Sequence, residues 1–263
     1  MDLPMTSGDA TKSLERRLGL LETSAALSLR IGSIIVPART AEQTAHRYCK
    51  QIFAHTDYAT YPYSLLGSAI CIKFDGITSL LCCKHQIEGI DGDKISIVHR
   101  PDNVTISASL FRTLNGHDDL DISDICALHF RLDDYNINNL NSWFFPLEKE
   151  NSWPNGAIGK FFVIGYPSSL QAAGFSADQI ASRALVITAE YDGSSSSPHL
   201  HRLVMDNNTG YGSDGLSGSP VFYIGVDSDG FFVGLAGMIQ RGSATSSILY
   251  FFDIDILKKI MTG

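Results

Sequence analysis

Ser217 has the sequence context that best suits a nucleophile in this chain. The segment Thr209 to Phe222 reads TGYGSDGLSGSPVF and runs directly into an apolar stretch. Attack on a carbonyl carbon needs a hydroxyl held clear of its own backbone, and backbone N–H groups that point at the oxyanion. Glycines permit such a turn because they lack a Cβ. The pattern predicts a serine nucleophile, although a turn of Ser, Gly and Pro is elsewhere often only a loop.

A serine nucleophile of this kind works with a histidine and an acidic residue, and unrelated folds carry the three in different chain orders. All eight histidines precede Ser217, at positions 46, 55, 85, 99, 117, 129, 199 and 201. The order Ser, Asp, His of the α/β-hydrolases is therefore excluded. The order His, Asp, Ser stays open.

His85 is the histidine with the most informative context. Residues 67–87, GSAICIKFDGITSLLCCKHQI, contain two apolar strands joined at Asp75-Gly76, a dipeptide typical of tight hairpin turns. The second strand ends at His85. A histidine that merely ends a strand at the surface is the alternative. The hairpin before His85 and Ser217 after it favour a general base.

The acidic partner belongs to the segment HDDLDISDICALHF, whose candidates are Asp118, Asp119, Asp121 and Asp124. A carboxylate that orients an imidazole sits at the start of a core strand, so apolar residues should follow it at once. Asp124 meets this condition because ICALHF follows it. Choosing Asp121 would drive Asp124 into the strand as an unpaired charge, which is costly. We therefore predict Asp124.

Together these segments resemble the chymotrypsin-like (trypsin-like) serine peptidases. Residues 215–220, GLSGSP, resemble their Gly-x-Ser-Gly-x-Pro signature, and residues 124–128, DICAL, resemble their Asp-Ile-Ala-Leu-Leu run. The hairpin that ends at His85 resembles the one that closes on Ala-Ala-His in the family. Cys83 and Lys84 stand where the two alanines are usual, and Lys84 departs from the small residue that normally packs there.

The resemblance covers about 200 of the 263 residues and implies an all-β fold of two six-stranded antiparallel β-barrels. The roughly 60 N-terminal residues outside the resemblance are predicted to form a helical extension. The expected boundaries are 1–63 for the extension, 64–135 for the first barrel, 136–158 for the linker, and 159–263 for the second barrel with a C-terminal helix. Helical spacing of apolar residues predicts helices over 11–29 and 40–54, with Thr40 as a cap, and a short strand at 34–36.

The resemblance implies a serine endopeptidase that cleaves proteins without a metal or organic cofactor. His85 would take the proton of Ser217, and Asp124 would fix the imidazole tautomer. The backbone N–H groups of Gly215 and Ser217 would hold the oxyanion. Leu216 stands where digestive proteases carry an aspartate that pairs with a newly cut N-terminus. Activation by that ion pair is therefore not expected.

The substrate preference stays open. By the same resemblance, Tyr211 would lie at the base of the primary specificity pocket, and the strand 234–239 would supply its wall through Gly237, Met238 and Ile239. An acid at the base selects Lys or Arg, and Tyr211 is not an acid. The nearby charges of Asp214 and Arg241 do not decide the preference.

The net charge and the cysteines indicate which partners and which cellular compartment to expect. The net charge of −8 and pI near 5.4 argue against nucleic acid or an anionic membrane as the partner. Cys71, Cys82, Cys83 and Cys126 lie in apolar strand contexts, which favours buried thiols. These four and Cys49 form no Cys-x-x-Cys pair, which argues against a zinc site. Secreted relatives often carry a disulfide at the residue after the catalytic histidine, which is Gln86 here. With no secretory signal at the N-terminus, we expect a reducing compartment, the cytoplasm.

Two further points stay open. The pair His199-x-His201 offers two imidazoles to one side of a strand, but two solvated histidines are a simpler explanation than a metal site. Free-standing cytosolic relatives in prokaryotes often act in limited proteolysis and are switched on by partners, so an activating protein partner is expected by analogy. The rival function is a catalytically decayed binding or regulatory module of the peptidase fold, which Cys83 and Lys84 favour. A third is an esterase that uses the same triad.

Overall fold

The computed structural model describes residues 28–57, 63–99, 104–107, 110–114, 119, 121–129, 140–157, 159–171, 175–176, 179–180, 183–197, 199–206, 213–243 and 246–263. The strands there are β1 Ser28–Ile31, β2 Ile34–Pro37, β3 Cys49–His55, β4 Tyr63–Phe74, β5 Ile77–Cys83, β6 Ile95–His99, β7 Val104–Ser107, β8 Leu110–Thr113, β9 Ile125–His129, β10 Phe145–Pro146, β11 Lys160–Gly165, β12 Phe175–Ser176, β13 Gln179–Ile180, β14 Leu185–Ser194, β15 Leu200–Met205, β16 Pro220–Asp227, β17 Gly230–Ser243 and β18 Ile248–Asp253. The α-helices are α1 Ala41–Ala45 and α2 Ile254–Thr262. Short 3-10 turns occupy Ala38–Thr40, His46–Tyr48, Lys84–Gln86, Gly92–Lys94, Ile122–Asp124, Leu140–Trp143 and Ser168–Leu170.

The first sheet carries the histidine and aspartate segments. Its strands run in the order β7-β6-β3-β4-β5-β9-β8, and β10 pairs in parallel with β4. The hairpin β4–β5 turns at Asp75 and Gly76, whose φ angles of 48° and 76° lie in the left-handed region that such a turn requires. The predicted hairpin is thereby confirmed. Within the described residues this sheet is curled but not closed.

The second sheet carries the serine segment and closes on itself. Its six barrel strands follow the cycle β16-β11-β14-β15-β18-β17, and pairing between β16 and β17 completes it. The hairpin β1–β2 extends this sheet, because β1 pairs in parallel with β17. The expected fold is confirmed as a chymotrypsin-like double barrel, made of one closed six-stranded antiparallel barrel and one curled half-barrel.

The helix predicted over 40–54 is wrong for most of its length. Only α1, five residues long, is helical, and the residues from Cys49 to His55 form β3. Thr40 makes no side-chain cap to α1. The apolar residues of this stretch fit a helix by spacing, but β3 pairs with β4 and β6, and this long-range pairing overrides local propensity. The first sheet thus contains residues that precede the expected start at 64.

The other N-terminal predictions divide. The strand predicted at 34–36 is confirmed as β2. Most of the helix predicted over 11–29 lies outside the described residues, but its last two positions, Ser28 and Leu29, belong to strand β1.

Helix α2 packs against both sheets. It confirms the predicted C-terminal helix, and it touches β5, β8 and β9 of the first sheet and β17 and β18 of the second. Its buried side chains are Ile254, Ile256, Leu257, Ile260 and Met261. Asp253 caps its N-terminus by accepting hydrogen bonds from two backbone N–H groups. None of the described helices is long and apolar enough to cross a membrane.

Candidate active site

His85 lies in the 3-10 turn that directly follows β5. The side chain of Gln86 stabilises this turn, because its Oε1 accepts a hydrogen bond from the backbone N–H of Cys83 at 2.8 Å. Cys83 is fully buried, whereas the side chain of Lys84 is exposed. Lys84 therefore fits a position where the family has a small residue, because it extends into solvent. The imidazole of His85 is about half exposed, at 49%.

Asp124 contacts both the side chain and the backbone of His85. Its Oδ2 lies 2.8 Å from His85 Nδ1, and its Oδ1 accepts a hydrogen bond from the His85 backbone N–H at 2.9 Å. Asp124 ends a 3-10 turn and directly precedes the buried strand β9, as its sequence context predicts. Asp121 instead forms an ion pair with Arg241, between Oδ1 and Nη1 at 2.5 Å. Among the described acids, Asp124 is the one that binds His85.

The Asp124 carboxylate also tunes His85. Its hydrogen bond raises the pKa of His85 above the ordinary value of 6.5, and burial opposes this effect only in part. The negative charges of Asp124 and Glu88 raise the pKa further. An imidazole with this partner is a stronger base and is held in the tautomer with its proton on Nδ1.

The turn that carries Ser217 depends on two glycines. Gly215 and Gly218 have φ angles of 86° and 83°, a conformation that other residues rarely adopt. A Cβ on Gly215 would lie 2.6 Å from the carbonyl oxygen of Tyr166, and a Cβ on Gly218 would lie 2.0 Å from that of Ser68. The Gly-x-Ser-Gly pattern is therefore a steric requirement of this turn.

Gln240 connects Ser217 to Asp124. The Ser217 hydroxyl donates a hydrogen bond to the carbonyl oxygen of Gln240 at 2.9 Å, and no hydrogen bond joins it to His85 within the described residues. The Gln240 Nε2 donates to Asp124 Oδ2 at 3.4 Å. Sequence reasoning missed this residue. Its signal is a buried glutamine at the end of the apolar run GLAGMI in β17.

Two backbone N–H groups of the turn remain available to an oxyanion. The carbonyl of Asp214 accepts a hydrogen bond from Ser168 N–H at 2.8 Å, and that of Leu216 accepts one from Ser219 N–H at 2.9 Å. Since N–H and C=O point in opposite directions across a trans peptide, the N–H groups of Gly215 and Ser217 point away from these partners. Neither N–H donates a hydrogen bond within the described part of the chain.

The predicted pocket wall does not present side chains to a substrate. Met238 and Ile239 have no exposed surface, and a Cβ on Gly237 would lie 1.8 Å from the carbonyl oxygen of Phe252. Ile239 meets the Ser217 turn only through its backbone, which pairs with Gly218 and Ser219 at 2.8 Å each. Any contact of Gly237, Met238 and Ile239 with a substrate would therefore be made by their backbone atoms, and their place in the pocket wall stays a prediction.

The next residues along β17 lie beside the turn. Gln240 contacts Ser217, and the Gly242 carbonyl accepts a hydrogen bond from the Ser213 hydroxyl at 3.0 Å. Between them, Arg241 is about half exposed and stacks its guanidinium 5.0 Å from the ring centre of Tyr250. Tyr211, which we expect at the base of the pocket, lies outside the described residues.

One group of possible metal ligands coincides with this site. Donor atoms of Cys83, His85 and Asp124 lie within 4.8 Å of one another. Burial and the charge of Asp124 raise the pKa of the Cys83 thiol well above its ordinary value, which disfavours the thiolate that binds metals. The arrangement suits proton transfer between His85 and a hydroxyl better than coordination.

Two further histidines, His199 and His201, contact the buried side chain of Asp253. His199 Nδ1 lies 2.8 Å from Asp253 Oδ2, and His201 Nε2 lies 3.5 Å from the same oxygen. His201 is only 3% exposed, so the expectation that both histidines are solvated is wrong for it. Both imidazoles thus contact the aspartate that caps the N-terminus of α2.

The five cysteines are all free and buried, which confirms the prediction for Cys71, Cys82, Cys83 and Cys126. Cys82 and Cys126 face each other across β5 and β9, within the core of the first sheet. No disulfide joins the residue after His85 to another strand, because that residue is Gln86.

Comparison with solved structures shows the fold that surrounds these residues. The chain is similar to a thermostable serine protease, AL20, from an extremophilic microorganism, with a TM-score of 0.54 and 11% sequence identity. The match covers 83% of this chain and 96% of that one. At this identity the likeness concerns the fold alone. No family model matches the sequence, and no curated protein matches it.

Proposed function

We propose that this protein is a serine endopeptidase that uses His85, Asp124 and Ser217 as its catalytic triad. The observation that carries the proposal is the doubly bound pair of His85 and Asp124, which lies next to a glycine-dependent serine turn on a double-barrel fold. The pair comes from the first sheet and the serine from the second, so the active site forms where the two sheets meet.

The reaction begins with rotation of the Ser217 hydroxyl about χ1, from the Gln240 carbonyl toward Nε2 of His85. Catalytic hydrogen bonds of this kind are often long or absent before substrate binds. The Ser217 Oγ then attacks the scissile carbonyl carbon, and its proton passes to His85 Nε2. The N–H groups of Gly215 and Ser217 stabilise the oxyanion.

Collapse of the tetrahedral intermediate breaks the peptide C–N bond, and His85 returns the proton to the leaving amine. Water then attacks the acyl-enzyme with His85 again as base, which releases the acid and restores Ser217. Asp124 stabilises the imidazolium at each step through its hydrogen bond to Nδ1. No metal or organic cofactor takes part in this mechanism.

The substrate side chain is expected to meet the segment of β17 from Gln240 to Gly242, which lies beside the turn. We retain Tyr211 as the proposed base of the pocket. Arg241 is already paired with Asp121, so its charge is largely compensated and gives little preference for an acidic substrate residue.

We further propose a cytoplasmic location and control by a protein partner. The five free cysteines suit a reducing compartment. The resting hydrogen bond between Ser217 and Gln240 is the feature on which a partner or a substrate would act, because it must break before His85 can be engaged.

The rival function, a catalytically decayed binding module, is favoured by the same hydrogen bond, since the hydroxyl of Ser217 does not face its base. A fluorophosphonate probe separates the two. We expect covalent labelling of Ser217 in the wild-type protein, and its loss in Ser217→Ala and in His85→Ala. Wild-type protein that is folded and stays unlabelled would reject the enzyme.

Peptide cleavage is tested next, with Ser217→Ala as the control. Among the described residues the serine side chain makes one hydrogen bond, so we expect the variant to keep its melting temperature and to lose on the order of 10⁶ in turnover. Cleavage that persists in purified Ser217→Ala would contradict the proposed catalytic triad. Rapid turnover of small esters with no peptide cleavage would favour an esterase.

A further inference from the structure

We propose that Gln86 is a positioning residue that connects the two sheets and holds the Ser217 turn in its reactive geometry. This inference rests on the proposed function, because it concerns the placement of the nucleophile. Both ends of its side-chain amide are bound. Oε1 accepts from the backbone N–H of Cys83 at 2.8 Å, and Nε2 donates to the carbonyl oxygens of Ser217 at 2.8 Å and Ser68 at 3.1 Å.

The amide of Gln86 therefore has no donor left over. A carboxamide carries two N–H donors, and both are used here on backbone carbonyls. Gln86 follows His85 directly in the chain. The Gln86 side chain thus connects the end of β5 with the backbone of the proposed nucleophile. Gln86 itself is the residue next to the proposed base.

Ser68, in β4 of the first sheet, completes the connection. Its hydroxyl donates to the carbonyl oxygen of Gly215 at 2.7 Å and accepts from the N–H of Tyr166 at 2.8 Å. Gly215 and Ser217 are the two residues whose N–H groups would bind the oxyanion. Their carbonyl oxygens are thus held by Ser68 and Gln86 from the first-sheet side, which fixes the Gly215–Leu216 and Ser217–Gly218 peptide groups, each adjacent to a peptide group that carries one of these N–H groups.

Close packing leaves little freedom at this contact. A Cβ on Gly67 would lie 2.2 Å from Gln86 Nε2, and a Cβ on Gly218 would lie 3.0 Å from Gln86 Oε1. Removing the donor would leave the Ser217 carbonyl without its partner and let the turn shift. A displacement of about 1 Å at a reacting group costs roughly 10²-fold in rate. Gln86 therefore acts on the reaction through Ser217 and touches no substrate.

The main test is Gln86→Met, which keeps the length of the side chain and removes both polar ends. We expect kcat and the rate of fluorophosphonate labelling to fall by roughly 10-fold to 100-fold, with a much smaller change in KM. Amide hydrogen exchange across residues 213–219 should become faster. A folded Gln86→Met protein with wild-type kcat and wild-type exchange in this segment would overturn the proposal.

Asn151→Leu is the matched control. The Asn151 amide is buried and, like that of Gln86, is bound at both ends, with Nδ2 donating to the carbonyl oxygen of Pro146 at 2.7 Å and Oδ1 accepting from Glu148 N–H at 2.8 Å. Its side-chain contacts do not include the Ser217 turn. We expect this variant to lose stability and to keep its labelling rate. An equal loss of labelling in both variants would assign Gln86 a general structural role and reject positioning.

Gln86→Glu gives a second test that does not depend on the folding of Gln86→Met. When ionised, the introduced carboxyl faces the Ser217 and Ser68 carbonyls with an oxygen, and when protonated it donates to one of them again. The activity of the variant relative to wild type should therefore be highest at acid pH and fall as pH rises. A constant ratio across pH would contradict the proposal.

The two hypotheses fail in different ways. If wild-type Ser217 is never labelled, the proposed function is wrong, and hydrogen exchange across 213–219 still decides whether Gln86 holds the turn. If Ser217 is labelled at the same rate in wild type and in folded Gln86→Met, the function stands and the positioning role is rejected.

Discussion

Asp124 holds His85 at two points, the ring nitrogen Nδ1 at 2.8 Å and the backbone N–H at 2.9 Å. The first contact selects the tautomer, and the second fixes the turn on which the ring is mounted. Asp121 lies three residues earlier and binds Arg241 instead. The two acids thus differ in partner although they share one segment.

This difference predicts unequal effects of two amide substitutions. Asp124→Asn should reduce turnover by roughly 10⁴, because an amide no longer stabilises the imidazolium and favours the wrong tautomer. Asp121→Asn removes a partly exposed ion pair and should change turnover little. Both are measured as kcat on one peptide substrate. A larger loss in Asp121→Asn would mean that the acid has been misassigned.

The pH dependence of activity should follow the raised pKa of His85. The base acts in its neutral form, so kcat/KM falls as pH drops through that pKa, and its acid limb should lie above 6.5. Asp124→Asn removes the hydrogen bond and the charge that raise the pKa. The residual activity of this variant should therefore have an acid limb at lower pH. An unchanged limb would show that another group controls the profile.

Leu216 predicts an enzyme that needs no cut N-terminus. It is 3% exposed and packs in the core of the closed barrel, so this position offers no carboxylate to pair with a newly cut N-terminus. We expect intact mass to show no processing within residues 1–66 before activity appears, and casein-like substrates to be cleaved poorly by the isolated protein. A protein that is inert until cut in this segment, and broadly active afterwards, would indicate a zymogen.

Asp253 predicts a loss of stability in acid. Burial raises the pKa of the Asp253 carboxyl. Hydrogen bonds from His201, from the N–H of Ile256 and from His199 lower the pKa by more than burial raises it, so it lies below its ordinary value. A carboxylate with a lowered folded pKa stabilises the protein above its unfolded pKa of about 3.9, and this stability is lost as pH falls through the folded pKa.

The free energy of unfolding of Asp253→Asn should therefore be about 1–3 kcal/mol lower than that of wild type at pH 7. Between pH 5 and 3 it should fall less than that of wild type. The free energy of unfolding is measured by denaturant titration at each pH. Asp255→Asn, in the first turn of the same helix, is the control because its side chain is exposed. Equal acid sensitivity in wild type and Asp253→Asn would contradict this role.

The sequence predicted the elements whose signals are local. The Asp75-Gly76 turn, the glycines around Ser217 and the start of β9 after Asp124 all follow from backbone preferences or from burial within a few residues. The C-terminal helix was expected from the family resemblance, and the Asp253 cap and the apolar side chains of α2 are local features that stabilise it. These features need no knowledge of what lies across the molecule.

The errors concern contacts between distant segments. Strand β3 resembles a helix until its pairing with β4 and β6 is known. The burial of the Met238 and Ile239 side chains depends on the pairing of β17 with β16 and β18, which the sequence does not show. Gln240 was missed for the same reason, since its role depends on Ser217 and Asp124, and both lie far from it in the chain.

The hydrogen bonds of Gln86 and Ser68 have a chemical consequence for the conditions under which this turn forms. A covalent sulfur bridge requires an oxidant to form and is opened by thiol reductants. Amide and hydroxyl donors respond to neither, and all five thiols of the chain are buried and unlinked. The geometry around Ser217 should therefore be the same in dithiothreitol and in air, and independent of cellular redox potential.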